Sequence, residues 1–374
     1  MDRVRVGLIG AGLIGGAHST VLRTIAGAMP EQLELVAVAD PAAENRDRFV
    51  EWYGYRHAVT DPRAVIDRDD VDAVFVCTPT AFHTEIVAAA AAAGKHCFCE
   101  KPMAMSHAQG REMLDAVRRA GVKAQIGLVL RFSAVYTVMR DLLRSADAGE
   151  PVAVVFRDDQ VFPIRGVHFS AWRADRRLTA GGTLIEHGVH DLDLLMWFFG
   201  PIARLRAWQQ NRAGHRGVED YVAVELEFAS GLRAQLVNLW HDMIQRPSNR
   251  RLEIFCQRGF FASDHDMAGD ISVQLGDGAE QLLAAREVLE RFGTLFGRSD
   301  TRFREWYAVP YLLQDLAFIE ALLDDRDPAP GLEVGLEAQR VAEVVYRAAD
   351  SGEEVEVTGN AAPDERGGPR SAQP

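Results

Sequence analysis

Residues 4–20 read VRVGLIGAGLIGGAHST, and their order of elements decides the fold. A short apolar run ends in glycine, and an apolar-periodic stretch follows it. Between them Gly10, Gly12 and Gly15 make the spacing G-x-G-x-x-G. Each glycine has a mechanical reason: a tight turn, close approach of backbone to a pyrophosphate, and close packing of helix on strand. The helix start then offers unbonded N–H groups to an anion. A second apolar run, LELVAVAD, ends in Asp40. An acid there accepts the ribose hydroxyls of NAD and repels the extra phosphate of NADP. Capping the helix of PAAENRDRFVEWY is a second, compatible role for it.

The alternation continues as VDAVFVCTP, AFHTEIVAAAAAAG, KHCFCEKP, SHAQGREMLDAVRRAG and KAQIGLVL. Near-continuous apolar strands between helices predict a parallel sheet covered on both faces. Such sheets bind ligands at the carboxyl ends of their strands. Thr78, Pro79 and Thr80 stand at one end with His83 a turn into the next helix; Glu100 and Lys101 stand at another. Pro102 pushes the Lys101 backbone to an extended form, which aims its ammonium from a strand tip rather than along the surface.

From about residue 126 the pattern becomes strand-rich. PVAVVFRDDQVF, ARLRAWQQNRA, DYVAVELEFASGLRAQLVNLWHD and RLEIFCQRGFFASD predict antiparallel strands, with hairpin turns at Ser230-Gly231 and Arg258-Gly259. The expected architecture is an α/β Rossmann dinucleotide-binding domain over residues 1–125, then an α+β domain with a mostly antiparallel open sheet over 126–357. One face of that sheet is expected to pack on a helix and the other on a second copy, as a homodimer or homotetramer. Residues 277–305 give no firm pattern. YLLQDLAFIEALL and GLEAQRVAEVVYRAADSG predict amphipathic helices, EEVEV a closing strand, and 358–374 a disordered tail.

The 374 residues carry 54 acidic and 41 basic side chains, a net charge of −13, which argues against nucleic acid or an anionic membrane as partner. No export signal or membrane span is read, and the four cysteines show neither a disulfide framework nor zinc spacing. A cytoplasmic protein with reduced thiols and no metal is expected.

Residues 181–195, GGTLIEHGVHDLDLL, are the exception to ordinary patterning. At about 100° per residue along one helix, Leu184, Ile185, Leu192 and Leu195 fall on one side. Glu186, His187, His190, Asp191 and Asp193 fall on the other, with Glu186 and His190 one turn apart. A solvated face favours Lys, Glu and Arg over mid-helix His and Asp.

Together GLIGAGLIG, VCTPTAFH, CEKP, AWRAD and GGTLIEHGVHDLDLLMWFFG resemble the glucose–fructose oxidoreductase, inositol dehydrogenase and rhizopine-catabolism (Gfo/Idh/MocA) family. The resemblance implies a two-domain NAD(P)-dependent enzyme that oxidises a secondary hydroxyl of a sugar or cyclitol, and Asp40 makes NAD the expected cofactor, with NADP less suited. It implies catalytic roles for Lys101, which holds the reacting oxygen, and for the acid–His pair Glu186 and His190, which handles the proton. The family's usual acid is aspartate, so Glu186 is a departure. Cofactor contacts are expected from Gly10, Gly12, Leu13, Ile14, Gly15, Asp40, Thr78, Pro79, Thr80, His83, Glu100 and Lys101, with Trp172 and Arg173 on the nicotinamide side. Substrate candidates are Arg131, Phe132, Asp159, His168 and His187. Two other readings stay open: oxidation followed by elimination on a glycoside, which releases no net NADH, and a non-catalytic NAD sensor.

Overall fold

The computed structural model describes residues 1–164, 170–243, 245–296 and 308–357. Two compact units divide the chain.

The first unit is built on six parallel strands: β1 (Val4–Ile9), β2 (Leu33–Ala39), β3 (His57–Val59), β4 (Ala73–Val76), β5 (His96–Cys99) and β6 (Ala124–Ile126). Their order is β3-β2-β1-β4-β5-β6. Strand order therefore reverses between β1 and β4, which opens a crevice at the carboxyl ends of those two strands. The central strand β4 is apolar throughout because both faces of the sheet are covered: Val74 and Val76 on one side and Phe75 on the other are all fully buried. Local signals set the helix ends. Ser106 accepts the Gln109 N–H at 3.3 Å to open the helix His107–Ala120, and Gly121, at φ +64°, closes it.

The first unit comprises Met1–Leu128, Trp172–Ala180 and Tyr311–Arg340. A single cut near residue 125 thus misses two later segments. Phe318, on the helix Pro310–Leu323, meets Phe75 and Phe98 with ring centroids 5.5 and 5.8 Å apart. Periodicity marks that helix as amphipathic but does not say which sheet its apolar face covers.

The second unit carries nine strands: β7 (Pro151–Val161), β8 (Ile202–Gln210), β9 (Tyr221–Phe228), β10 (Arg233–His241), β11 (Asn249–Cys256), β12 (Gly259–Ser263), β13 (Ile271–Leu275), β14 (Gln281–Leu283) and β15 (Val355–Glu356). The order is β14-β13-β12-β11-β7-β10-β9-β8-β15. Only β7 and β10 pair in parallel; the others are antiparallel. Both expected hairpins form, the first through Gly231 at φ +86°. Along β9, Val222, Val224, Leu226 and Phe228 are buried while Glu225 faces out, the alternation of a sheet with one covered face. The stretch without a firm pattern contains β14 and the helix Ala285–Leu295. The expected tail, 358–374, lies outside the described residues. No helix among the described residues is long and apolar enough to cross a membrane.

A Cβ at Gly15 would stand 2.1 Å from the Gly10 carbonyl oxygen. Gly15→Ala should therefore cost about 1–3 kcal/mol, as overpacking does, and weaken NADH binding. Thermal unfolding and an NADH fluorescence titration check this; a stable variant with parental affinity would contradict it.

Candidate active site

The glycine loop fits a dinucleotide. Gly10 has φ +102°, and a Cβ there would lie 2.6 Å from the Cys77 carbonyl oxygen, so only glycine lets the loop pass the end of β4. Gly12 is the N-cap of the helix Leu13–Ala28; it has no side-chain cap, and a Cβ there would meet nothing within 4 Å. The first intrahelical bond of this turn runs from the Gly16 N–H to the Gly12 carbonyl. The N–H groups of the first helical residues have no partner within the helix, which suits a pyrophosphate.

Asp40 stands beside this loop. Its Oδ2 accepts the Ala11 N–H at 2.8 Å, and its Oδ1 accepts the Ala42 N–H and the Asn45 side chain at 2.9 and 3.2 Å. It is not the helix cap, since the helix Ala43–Tyr53 starts three residues later with Ala42 as N-cap. Arg46 donates to the Asp40 and Pro41 carbonyls at 2.7 and 3.0 Å. A cation therefore stands at this strand tip, supplied from the first turn of the following helix.

At the ends of β4 and β5, His83 is buried. Its ring joins the Thr78 and Pro102 carbonyls, each at 2.9 Å, and so ties the two strand ends together. Thr78 and Pro79 are half-buried, and Thr80 is buried. Glu100 is buried: its Oε2 accepts the Lys101 N–H at 3.0 Å, and its Oε1 meets His18 Nε2 at 3.0 Å. The carboxylate is thus directed at the protein's own groups. Lys101 is half-buried. Trp172 and Arg173 form a short 3₁₀ turn in the same unit, with the guanidinium 4.5 Å from the indole centroid.

In the second unit, residues 184–199 do not form one regular α-helix. Leu184–Gly188 is a π-helical turn, and the α-helix Val189–Phe199 continues it. The uniform 100° phase therefore fails across the first turn, and the single polar face fails with it. Asp191 points at β10 and β11, where it accepts from Asn238 Nδ2 at 2.6 Å and Arg250 Nε at 2.9 Å. Asp193 accepts Arg131 Nη2 at 2.7 Å. Glu186 and His190 are both buried, the first in the widened turn and the second in the turn after it. His187 is half-buried and accepts Trp240 Nε1–H at its Nδ1, 2.8 Å away. Widened turns of this kind recur at functional sites.

The profile described as "Oxidoreductase family, NAD-binding Rossmann fold" matches residues 4–128, and that of the GFO/IDH/MocA C-terminal domain matches 136–262. The chain belongs to the Gfo/Idh/MocA oxidoreductase family. It is 35% identical over 234 residues to the 1,5-anhydro-D-fructose reductase of Ensifer adhaerens, covering 62% of this chain and 68% of that one. It is 28% identical to the inositol 2-dehydrogenase of Rhizobium meliloti over 92% of this chain and 96% of that one. A levoglucosan dehydrogenase solved with NADH and L-sorbose shares the fold, with TM-score 0.82 and 20% identity over 96% of this chain and all of that one. As a Gfo/Idh/MocA member this chain is an NAD(P)-dependent oxidoreductase acting on CH–OH groups, with an NAD-binding first domain.

The substrate candidates separate. Arg131 is held bidentate by Asp193, its guanidinium 5.8 Å from the Trp197 centroid, and Phe132 is buried. Asp159 is buried and paired with Arg246 and Arg157. It lies on the sheet face opposite Asp158, because neighbours in a strand point to opposite sides; Asp158 pairs with Arg250, which also holds Asp191. His168 lies outside the described residues.

Several residues that build the site carry no local signal. Glu219 accepts the Gly182 and Leu184 N–H groups at 2.7 and 3.0 Å and the Tyr346 hydroxyl at 2.9 Å. It thereby caps the start of the segment 184–199 from 35 residues away. A Cβ at Gly182 would stand 1.8 Å from the Glu219 carbonyl oxygen, and one at Gly188 would stand 2.4 Å from Asn238 Oδ1. These glycines let the widened turn sit directly on its anchors.

Burial pushes Glu219 up to about 7, against the pull of its hydrogen bonds. The folded state then holds a proton that the unfolded state has lost above its ordinary value, so stability should fall as pH rises from about 4.5 to about 7. Glu219→Gln should flatten that part of the unfolding profile; an unchanged slope would contradict the assignment.

Proposed function

We propose that the chain is an NAD-dependent dehydrogenase for a secondary hydroxyl of a sugar, sugar derivative or cyclitol. The observation that carries this reading is the setting of Lys101. A cation ends an apolar strand beside the glycine loop's crevice, its own peptide N–H held by the buried Glu100 carboxylate. The named activities of the relatives, on anhydro-sugars and inositols, point to the same substrate class.

Gly10, Gly12, Leu13, Ile14, Gly15 and Asp40 would hold NAD, with Thr78, Pro79, Thr80, Trp172 and Arg173 as further contacts. Bound NAD supplies the hydride acceptor for the carbinol carbon. The Lys101 ammonium donates to the reacting oxygen and stabilises its alkoxide character. His190 takes the hydroxyl proton on an imidazole nitrogen, and Glu186 orients that ring and balances the charge it acquires.

His187 suits a different task. Trp240 N–H can only donate, so the neutral His187 ring has its Nδ1 lone pair occupied and its hydrogen on Nε2. It is a donor toward a substrate hydroxyl rather than the base. We further propose that the exposed side chains Val155, Trp208 and Phe255, on one face of the second sheet, join two copies of the chain.

The reading is tested by following NADH absorbance with inositols, aldoses, amino sugars and methyl glycosides. Net NADH is expected with at least one of them. Lys101→Ala should lower turnover about 10²–10³-fold, and His190→Ala about 10²–10⁴-fold with loss of the rise in rate at higher pH. His187→Ala should be much milder. No net NADH with any polyol, or a parental rate in Lys101→Ala, would overturn it.

Asp40 and Arg46 give a second expectation. The unaltered protein should prefer NAD, and Asp40→Ser should raise NADP use by removing the negative charge beside the ribose position. Adding Arg46→Ala should take that gain away, because the guanidinium is the cation left for the phosphate. Equal use of NADP by the unaltered protein would contradict the role of Asp40.

A further inference from the structure

His18 lies in the first helix, eight residues beyond the loop's first glycine, and is fully buried. Its Nε2 meets Glu100 Oε1 at 3.0 Å, and its Nδ1 meets Asp315 Oδ2 at 2.8 Å. Phe75, Phe98 and Tyr311 surround the ring, with centroids 5.5, 5.0 and 5.8 Å away. An ionised carboxylate only accepts, so with both carboxylates ionised both ring nitrogens donate and the ring is an imidazolium; burial pushes Asp315 up, and the charged ring pulls it back down.

Such a group is costly in an aromatic pocket. Apolar side chains of the same volume in place of all three charged groups are often at least as stable, since desolvation offsets much of a buried ion pair's attraction. The cluster therefore calls for a reason other than stability. Its geometry supplies one. The oxygen of Glu100 that His18 does not hold accepts the Lys101 N–H at 3.0 Å. Room for this carboxylate is built in: a Cβ at Gly127 would stand 2.6 Å from Glu100 Oε1.

We propose that His18 is a positioning residue for Lys101, acting through Glu100. His18 keeps the Glu100 carboxylate charged and oriented, and Glu100 sets the peptide from which the lysine side chain departs. Asp315 holds the far side of the ring and stops it turning away. Consistently, Glu100 is held below its usual range by His18 despite burial, and His18 is raised to about 10 by its two carboxylates against burial. This inference rests on the reading of Lys101 as the residue that holds the reacting oxygen.

A mutant cycle tests it, using the polyol that gives the highest rate in the NADH screen. His18→Gln should lower kcat about 10²-fold, the scale of a small misplacement of a reacting group. The affinity for NADH should stay near parental. In a Lys101→Ala background His18→Gln should add nothing. Multiplying effects, or lost NADH affinity with kcat intact, would make His18 a support of the cofactor helix and overturn the proposal. Glu100→Gln should reproduce the pattern and serves if His18→Gln does not fold.

A second readout needs no substrate. The chain has three lysines, Lys95, Lys101 and Lys123. Acetic anhydride labelling read by mass spectrometry should show Lys101 several-fold more reactive in His18→Gln, relative to the other two. If Lys101→Ala retains parental turnover, the functional reading falls and labelling alone decides. A changed Lys101 reactivity then upholds the hold of His18 on it, and an unchanged one overturns it.

Discussion

The buried contact of His18 with Glu100 and Asp315 ties together three parts of the first unit that lie far apart in the chain. One partner lies on the helix whose start forms the dinucleotide cradle, one ends β5 beside Lys101, and one lies on a helix more than 200 residues later. Each carboxylate would be costly alone in this interior, and the imidazolium between them is what makes both tolerable. Cradle, strand tip and late helix are therefore not independent: a shift in one breaks a charged hydrogen bond to another.

The second unit meets the same requirement with different parts. Its helix Val189–Phe199 begins in a widened turn, where i to i+4 bonding is interrupted and backbone groups need partners from elsewhere. Glu219 supplies two acceptors to that turn, and glycines at 182 and 188 let the backbone come down onto Glu219 and Asn238. Further along, Arg250 binds Asp158 and Asp191 across the sheet, with burial pushing Asp158 up to about 8. Glu186 and His190 thus sit on a segment anchored at both ends by buried polar contacts, which suits the proton transfer proposed for them.

Much of this was legible along the chain. The parallel sheet and its glycine loop are written in apolar runs and in glycines whose absent Cβ atoms have identifiable steric causes. The hairpins at Gly231 and Gly259 follow from turn chemistry. What was not legible depends on distant partners. Nothing local to Asp315 says that it meets His18, and nothing local to Glu219 says that it caps a helix. Regular helical phase placed five polar residues of 186–193 on one face, yet the π turn and the pull of Arg250 and Arg131 send Asp191 and Asp193 to structural partners. The wrap of Arg46 from the next helix back onto the Asp40 and Pro41 carbonyls is likewise a tertiary event without a local signal.

The central physical claim is that His18 carries hydrogens on both ring nitrogens throughout the neutral range. Nitrogen-15 NMR of the protein labelled at histidine, with His18→Gln supplying the assignment, measures this directly. Both ring nitrogens of His18 should show protonated signals, unchanged from pH 6 to about 9, well above the ordinary histidine value of about 6.5. A His18 signal that titrates near that ordinary value, or that shows one bare ring nitrogen at pH 8, would contradict the account.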